Sequence, residues 1–392
     1  MSADFDSDGF VDLAVAAPGV YVGGYGRDLD WAQGAVFILY GPWDLSLSPP
    51  YAGGSIAIVE DAANRRNDPA VHAVGDQFGF RIAVGDPNAD SHPDLVIGSP
   101  FSVCSADAHN YCGQAYVYWG PSFTDWYELT LPGPPHGPPR NDRLWGLDVA
   151  CGNVVDVETV GTDDVLIAAY NSEEGGTGNA GRFRLFRDFP NASPGPRGFD
   201  RYEDVLRPGG NVLGADFGEV LALGNYDGDH LLDVAVSAPR DFGVADGDNI
   251  SGEVPVFPGA SFPTGSIRLT ISRPSAARKD MFGAAMAWLD HDADGIDELL
   301  VGAPWYNLGS SPPIGRHGEG RAVLVNFPRL HAWIDDPSPQ ELTSADGFGS
   351  AAAAGALDDN PRIDLAIGNP AASFTSGSTT FVLAGEVRVV ID

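Results

Sequence analysis

An aromatic residue followed by glycine recurs five times along this chain, and the recurrence excludes most folds. Successive pairs are 67, 72, 65 and 66 residues apart. The five pairs are Phe78-Gly79, Trp145-Gly146, Phe217-Gly218, Phe282-Gly283 and Phe348-Gly349. Self-similarity at a nearly constant period indicates a repeat architecture in which each repeat is one supersecondary unit.

Each repeat contains four short apolar segments typical of β-strands, and none shows the 3.6-residue periodicity of a helix. The first follows the aromatic pair, as in FGFRIAVGD, and the second ends in a small residue and proline, as in DLVIGSP. Proline ends a strand because it has no N–H to donate. The third begins at a glycine, as in GQAYVYWG, and the fourth is variable. In the sixth repeat we expect STTFVLAG as the third strand and EVRVVI as the fourth.

Four-stranded antiparallel units at this period predict an all-β fold, a β-propeller with six visible repeats. A solenoid would need shorter repeats, and separate sandwich domains would need about seven strands each. The first repeat starts at its acidic loop, so we expect its first strand to be missing. The chain then has six blades, or it is six-sevenths of a seven-bladed ring. We predict a single propeller domain over 1–392, with blades at 1–76, 77–142, 143–215, 216–280, 281–345 and 346–392.

The charge balance excludes several classes of partner. The chain has 54 acidic residues against 22 Lys and Arg, a net charge of -32. Nucleic acids and anionic membranes require basic surface, so we expect neither as a partner. No apolar run reaches about 18 residues, so no transmembrane segment is expected. The acidic N-terminus lacks the apolar core of a signal peptide. The acidic excess indicates a solubilising surface or grouped cation ligands, and the clustering in DFDSDG favours the second locally.

An acidic loop of the form D-x-D-x-D-G-x-x-D joins the first and second strands of the best-preserved repeats. In a tight loop the side chains at positions 1, 3 and 5 can converge on one centre, position 7 offers its carbonyl oxygen, and position 9 adds a carboxylate. These oxygens suit Ca²⁺, which takes roughly six to eight of them, better than Mg²⁺. Zinc would need Cys or His ligands. An EF-hand would need flanking helices and a glutamate at position 12, where the first loop has Val15.

Four loops fit this pattern. The second loop has Ser91 where glycine is expected. In the fifth loop Asp297 lies beside the last ligand position, so either Asp297 or Glu298 is the last ligand. The predicted metal ligands are Asp4, Asp6, Asp8, Phe10 and Asp12 in the first loop; Asp86, Asn88, Asp90, His92 and Asp94 in the second; Asn225, Asp227, Asp229, Leu231 and Asp233 in the fourth; and Asp290, Asp292, Asp294, Ile296 and Glu298 in the fifth.

The third and sixth loops depart from the pattern. The third is three residues too long from Asn153 to Asp164, although Asp156, Glu158 and Asp164 form a shifted set with Val160 at a ligand position. The sixth begins with Ala356 and keeps only Asp358, Asn360 and Asp364. Asp and Asn also stabilise turns without metal, by bonding to the backbone. We therefore expect weak or no cation binding in these two loops.

The three cysteines bear on the compartment. Cys104 and Cys112 bracket a short polar loop, which favours a disulfide and an oxidising environment. Cys151 lies in an apolar run, and we expect a buried free thiol there.

The chain lacks the motifs that most directly indicate catalysis. It has no G-x-S-x-G nucleophile elbow, no H-E-x-x-H pair and no phosphate-binding G-x-x-x-x-G-K-S loop. We therefore predict that it is not an enzyme and has no catalytic residues. Three long inserts, at residues 19–33, 101–113 and 305–320, are candidate ligand-binding loops because binding residues concentrate on loops.

The aromatic-glycine start, the acidic loop and the Gly-Ala-Pro-like strand end together resemble the FG-GAP repeat. That repeat builds the N-terminal β-propeller of integrin α subunits and recurs in bacterial secreted proteins. The resemblance implies an extracellular or cell-surface adhesion module with largely structural calcium and a protein or glycan ligand on a propeller face. It also implies a monomeric domain within a larger protein. The alternatives are a propeller domain of a larger secreted hydrolase or lyase, or a carbohydrate-binding lectin.

Overall fold

The computed structural model confirms the all-β, β-propeller fold class. Among the residues that it describes there are 27 strands and no helix. The chain divides into two compact units, Met1–Leu206 and Arg207–Asp392. The described residues are 1–20, 34–42, 56–59, 76–102, 113–129, 142–155, 162–169, 171–172, 180–187, 189, 202–207, 215–240, 252–259, 262, 269–272, 281–304, 320–326, 330–335, 347–355, 363–369, 374–376, 379–381 and 386–390.

The first unit contains three four-stranded antiparallel sheets, each running in chain order, and one short two-stranded pairing of strands that are not consecutive. The first blade is β1 (Ser2–Ala3), β2 (Asp12–Ala17), β3 (Ala35–Leu39) and β4 (Ile56–Val59), and the second is β5 (Arg81–Gly85), β6 (Asp94–Ser99), β7 (Gln114–Tyr118) and β8 (Trp126–Glu128). The third is β10 (Val149–Gly152), β11 (Asp164–Ala169), β13 (Arg182–Phe186) and β14 (Tyr202–Leu206), beside which β9 (Asp142–Arg143) pairs with β12 (Asn171–Ser172).

The second unit contains two four-stranded sheets, one three-stranded sheet and a hairpin. The fourth blade is β15 (Leu221–Gly224), β16 (Asp233–Val236), β17 (Glu253–Phe257) and β18 (Leu269–Ser272), and the fifth is β19 (Ala285–Leu289), β20 (Glu298–Ala303), β21 (Arg321–Asn326) and β22 (Leu330–Asp335). The sixth is β23 (Ala351–Gly355), β24 (Asp364–Asn369) and β27 (Glu386–Val390), with β25 (Phe374–Ser376) paired to β26 (Thr379–Phe381).

Two terminal repeats differ from the sequence-based expectation. A two-residue strand, β1, pairs with β2 where we expected none, since Ser2 and Ala3 face Leu13 and Asp12. In the sixth repeat, β27 pairs directly with β24 and so holds the third place in the sheet, which we had assigned to STTFVLAG. The Thr379–Phe381 strand of that segment belongs instead to the separate β25–β26 hairpin. Strand propensity alone does not specify which partner a short segment takes.

A glycine at the start of the third strand brings neighbouring sheets into backbone contact. Gly34, just before β3, forms a parallel bridge with Phe78 at the start of the next repeat, and Gly113 does so with Trp145. A Cβ atom on Gly34 would lie 2.0 Å from the Phe78 carbonyl oxygen. Gly34 also has φ +87°, a conformation that other residues rarely adopt. At Gly34 and Gly113 the glycine before the third strand therefore serves packing between sheets as well as strand entry.

The hydrophobic core of each unit lies between successive sheets. Leu95 of β6 packs with Val36 and Ile38 of the first blade, whereas Val96 packs with Val165 of the third. Consecutive residues of a second strand thus face opposite neighbours, and all of β6 is buried. The equivalent strand β2 is buried on one side only, because Leu13 and Val15 are 36% and 44% exposed.

Several sequence predictions fall outside the described residues. The proposed Cys104–Cys112 disulfide does so, as do residues 21–33, 103–112 and 305–319 of the candidate ligand loops.

Cys151 is a free thiol that packs, partly buried, against the core of the second and third blades. Desolvation and nearby carboxylates raise the pKa of this thiol well above its usual value. Within the described residues, no helix is long and apolar enough to span a membrane.

Candidate cation loops

The first and fifth loops fold into the same turn around the side chain at position 1. The carboxylate of Asp4 accepts hydrogen bonds from the N–H groups of Asp8 (3.0 Å) and Gly9 (2.9 Å). Asp290 accepts equivalent bonds from Asp294 and Gly295, both at 3.0 Å. Because these bonds bend the chain back on itself, the following aspartates turn towards the first.

This turn brings the carboxylates at positions 1, 3 and 5 together. Oxygen atoms of Asp4, Asp6 and Asp8 all lie within 4.8 Å of one another, and the corresponding atoms of the fifth loop form a second such group. Desolvation and the charges of Asp8, Asp12 and Asp4 raise the pKa of Asp6. The grouped oxygens have the chemistry and spacing that Ca²⁺ prefers, and a divalent cation would offset their mutual repulsion. The fifth-loop group is Asp290, Asp292 and Asp294.

The second and fourth loops are variants of this turn. Asp86 accepts bonds from the N–H groups of Asp90 (3.0 Å) and Ser91 (2.8 Å), and Ser91 adopts φ +68° where the first and fifth loops have glycine. In the fourth loop the amide oxygen of Asn225 accepts a bond from Gly228 (2.8 Å), one residue earlier than in the other loops. The absence of glycine at Ser91 therefore does not change the turn, whereas the fourth loop closes differently.

The residue at position 7 contacts the loop through its N–H group. In all four loops this N–H donates to the carboxylate at position 5, at 2.8 to 2.9 Å. The carbonyl oxygens that we predicted as ligands at these positions stay a prediction. The four residues are Phe10, His92, Leu231 and Ile296.

The acid at position 9 has a structural role that the sequence pattern did not reveal. Asp12 is fully buried, and its two carboxylate oxygens accept bonds from Phe5 N–H and Gly41 N–H, both at 2.7 Å. Asp233 does the same with Tyr226 (2.9 Å) and Gly259 (3.0 Å). We call the acids at this position the latch residues, since they tie the loop start to the strand that follows it. They are Asp12, Asp94, Asp164, Asp233 and Glu298.

One signal in the sequence could have indicated this role. Each latch residue is the first residue of a second strand whose following positions are apolar, and in four of these five strands those positions are all buried. A carboxylate at such a position needs hydrogen-bond donors, because burying an unpaired charge is costly.

The latch of the second loop is incomplete. Asp94 Oδ1 accepts a bond from Gly120 N–H (2.8 Å), but Asp94 Oδ2 is buried and has no hydrogen-bond partner. In the first loop the equivalent oxygen is bonded to the N–H of Phe5, and here that residue is Pro87, which has no N–H. Desolvation and the nearby carboxylates, partly offset by the Gly120 bond, raise the pKa of Asp94 to about 8. The role of Asp94 as a cation ligand stays a prediction.

The third loop keeps its latch although it lacks the ligand spacing. Asp164 Oδ2 accepts bonds from Val154 (3.0 Å) and Val155 (2.7 Å), and desolvation raises its pKa to about 7. In the sixth loop Asp364 is buried at 1% exposure. The remaining residues weighed for these loops lie outside the described part of the chain: Asp156, Glu158, Val160, Ala356, Asp358 and Asn360.

In the fifth loop the two candidates for the last ligand accept hydrogen bonds from different residues. Glu298 takes the latch position and accepts a bond from His291 N–H (2.8 Å). Asp297 instead accepts a bond from the N–H of Asn225, at the start of the fourth loop (2.7 Å).

Comparison with known proteins places part of this chain in context. The FG-GAP repeat family model matches residues 1–39, which include the first loop and β2. Phosphatidylinositol-glycan-specific phospholipase D is 36% identical over 119 residues in Mus musculus and 38% in Homo sapiens, in each case 30% of this chain and 12% of the relative. Integrin alpha-PS5 of Drosophila melanogaster is 34% identical over 178 residues, 42% of this chain and 16% of the integrin.

This chain therefore spans only a small fraction of the length of these relatives. Among solved structures, rhamnogalacturonan lyase YesW aligns with 94% of this chain and 67% of its own, at 10% identity and a TM-score of 0.32. The sequence matches and the propeller fold together confirm the resemblance of this chain to the FG-GAP repeat β-propeller of integrin α chains.

Proposed function

We propose that the chain is an extracellular or cell-surface, calcium-stabilised β-propeller that binds a protein or glycan through a propeller face. It acts by binding and has no catalytic role of its own. The calcium part of the proposal rests on two clusters of three carboxylates, one in the first loop and one in the fifth. In each cluster, oxygen atoms of the three side chains lie within 4.8 Å of one another. The integrin α relatives support the adhesion part, since they are 30% and 34% identical to this chain over 33% and 42% of its length.

The donor set suits calcium in all four complete loops. The first and fifth loops supply three grouped carboxylates, and the second supplies the buried, unpartnered Asp94 Oδ2. The fourth replaces one carboxylate with the amide oxygen of Asn225, which is also a calcium ligand type. When bound, calcium would neutralise the grouped charge and hold the turn between the first and second strands.

Thermal melting in calcium against EGTA tests the calcium proposal. Calcium at about ten times its Kd stabilises the folded chain by about 1.4 kcal/mol for each site, so we expect a clear rise in Tm. Asp292→Ala should reduce the rise, because it removes a carboxylate from the fifth-loop group. Asp125→Asn, an exposed substitution that is not part of any loop carboxylate group, should leave the rise unchanged. An identical Tm in calcium and in EGTA would contradict the proposal.

A second candidate is favoured by the phospholipase D relatives. Their similarity to this chain is consistent with a propeller attached to a secreted hydrolase. The reading frame surrounding this segment in the gene separates the two proposals. A catalytic domain encoded in the same frame would favour the enzyme-associated role, and adhesion-type modules would favour the first.

A further inference from the structure

In two places an acidic residue of one blade contacts the predicted cation loop of the preceding blade. Asp163, just before the latch Asp164 of the third blade, accepts a bond from Asp86 N–H at 2.8 Å, and its own N–H donates to the Asp86 carbonyl at 3.3 Å. Asp297 makes the same pair of bonds with Asn225, at 2.7 and 2.8 Å. Among the described residues one example thus lies in each unit, between residues 77 and 72 positions apart in sequence.

The packing before each contacted loop allows the neighbouring blade to approach closely. The residue before Asp86 is Gly85, and a Cβ atom there would lie 2.7 Å from Asp163 Oδ2. The residue before Asn225 is Gly224, where a Cβ atom would collide with the ring of Trp288. Side chains at these glycines would separate the two blades, so both contacts depend on their absence.

The contacted residue in each case holds position 1, on which the loop turn depends. The carboxylate of Asp86 accepts the bonds that close the second loop, and the amide of Asn225 closes the fourth. A carboxylate that fixes the backbone of position 1 from outside therefore fixes the first predicted ligand. Neither Asp163 nor Asp297 needs to touch the cation to influence its binding.

We propose that Asp163 and Asp297 are positioning residues that make cation binding in one loop depend on the loop of the following blade. Asp297 belongs by sequence to the fifth loop, yet it supports the fourth, and Asp163 supports the second from the third blade. The inference rests on the proposed calcium binding. It adds that neighbouring loops are energetically coupled through these two carboxylates, and coupling of this kind is reciprocal.

Calcium titration of the full chain by isothermal calorimetry tests the coupling. Asp297→Ala should weaken one class of sites by about two- to tenfold, the factor that corresponds to one lost hydrogen bond. Asp297→Asn keeps an acceptor oxygen in place and should bind within about twofold of the wild type. If Asp297 acted only through its charge, the Asn variant would be as weak as the Ala variant, which would overturn the proposal.

A loop knockout locates the affected site. In a background carrying Asp227→Ala and Asp229→Ala, which disables the fourth loop, adding Asp297→Ala should change nothing at the remaining sites. A loss that persists in this background would show that Asp297 serves its own loop, and would overturn the proposal. Asp163→Ala, with and without Asn88→Ala and Asp90→Ala in the second loop, provides an independent second cycle.

The outcomes also separate this inference from the proposed function. Calcium binding by the wild type with unchanged affinity in both Asp297→Ala and Asp163→Ala would overturn the coupling alone. Absence of calcium binding by the wild type would overturn both proposals. Melting curves in EGTA verify that each variant is folded.

Discussion

At the residue scale, one chemical group has two different roles within nine positions. The carboxylates of Asp6 and Asp8 are exposed and close to each other, whereas that of Asp12 is buried and bonded to two backbone N–H groups. The exposed carboxylates keep oxygen atoms that face solvent, whereas both oxygens of the buried Asp12 are used to satisfy backbone donors.

Outside the loops, Asp216 is a buried acid with an unusual protonation equilibrium. It is 1% exposed and bonded through Oδ2 to Arg240 Nη1 (2.8 Å), while its Oδ1 has no partner. Desolvation raises its pKa from 3.8 to about 7, with Arg240 opposing the rise and Glu219 adding to it. Because the pKa is higher in the folded chain than in the unfolded chain, the protonated Asp216 contributes to the free energy of unfolding. This contribution is complete below about pH 4 and is lost as the pH rises through about 7.

We therefore expect the Tm in EGTA to fall between about pH 5 and about pH 8, and Asp216→Asn to make this fall smaller. Asparagine tolerates the positive φ of 54° at this position, so the substitution removes the titration without backbone strain. Thermal melting across the pH range measures the effect, with Asp125→Asn as the exposed control. Equal pH dependence in the wild type and the Asp216→Asn variant would contradict the assignment.

At the element scale, the blades are joined by backbone contacts as well as by apolar side chains. Gly252, just before β17, has φ +71°, and a Cβ atom there would lie 2.2 Å from the Phe282 carbonyl oxygen of the next blade. The same contact occurs between Gly113 and Trp145 in the first unit. Since the obstacle is backbone, it cannot rotate away as a side chain would.

Gly252→Ala should accordingly destabilise the fold by about 3 kcal/mol or more, because backbone strain of about 1 to 2 kcal/mol is added to the collision. Gly295→Ala is the matched control, with φ +87° and no atom within 4 Å of the added Cβ. The loss in free energy of unfolding for Gly295→Ala should reflect the backbone strain alone. Urea unfolding in EGTA gives both free energies, and a Gly252→Ala cost no larger than that of Gly295→Ala would show that the close approach is unimportant.

At the scale of the whole molecule, the charge of -32 is a standing source of repulsion. Like charges oppose the compact state, and salt screens them over a Debye length of about 10 Å at 0.1 M. Bound calcium would remove part of the same repulsion at the loops. The stabilising effects of salt and calcium should therefore overlap, because both reduce the repulsion between the same acidic side chains.

Raising NaCl from about 0.05 M to about 0.5 M should increase the Tm in EGTA, and should do so less when calcium is present. Differential scanning calorimetry at fixed pH measures both series, with sucrose as an uncharged comparison. A Tm in EGTA that is unchanged or lowered by salt would show that net repulsion does not limit stability.

From the sequence alone we predicted the repeat, the all-β fold class and the positions of the acidic loops, because all three follow from local periodicity. It did not predict the latch role of Asp12 or the partner of β27, since both depend on which segments meet in three dimensions. The consequence of Pro87 was also hidden, because a missing N–H matters only once Asp94 is known to need it. Local patterns thus located the loops, and tertiary contacts determined the surroundings of each acid.

The contact between Asp297 and Asn225 has a consequence for anyone who would transplant or duplicate a repeat. The boundary seen in the sequence falls between blades, but the fourth loop has its predicted ligands in one blade and a hydrogen-bond partner, Asp297, in the next. A single repeat moved into another propeller would arrive without that support unless the recipient offers an acid in the equivalent place. Exchanging adjacent repeats as pairs would preserve a loop that exchanging them singly would weaken.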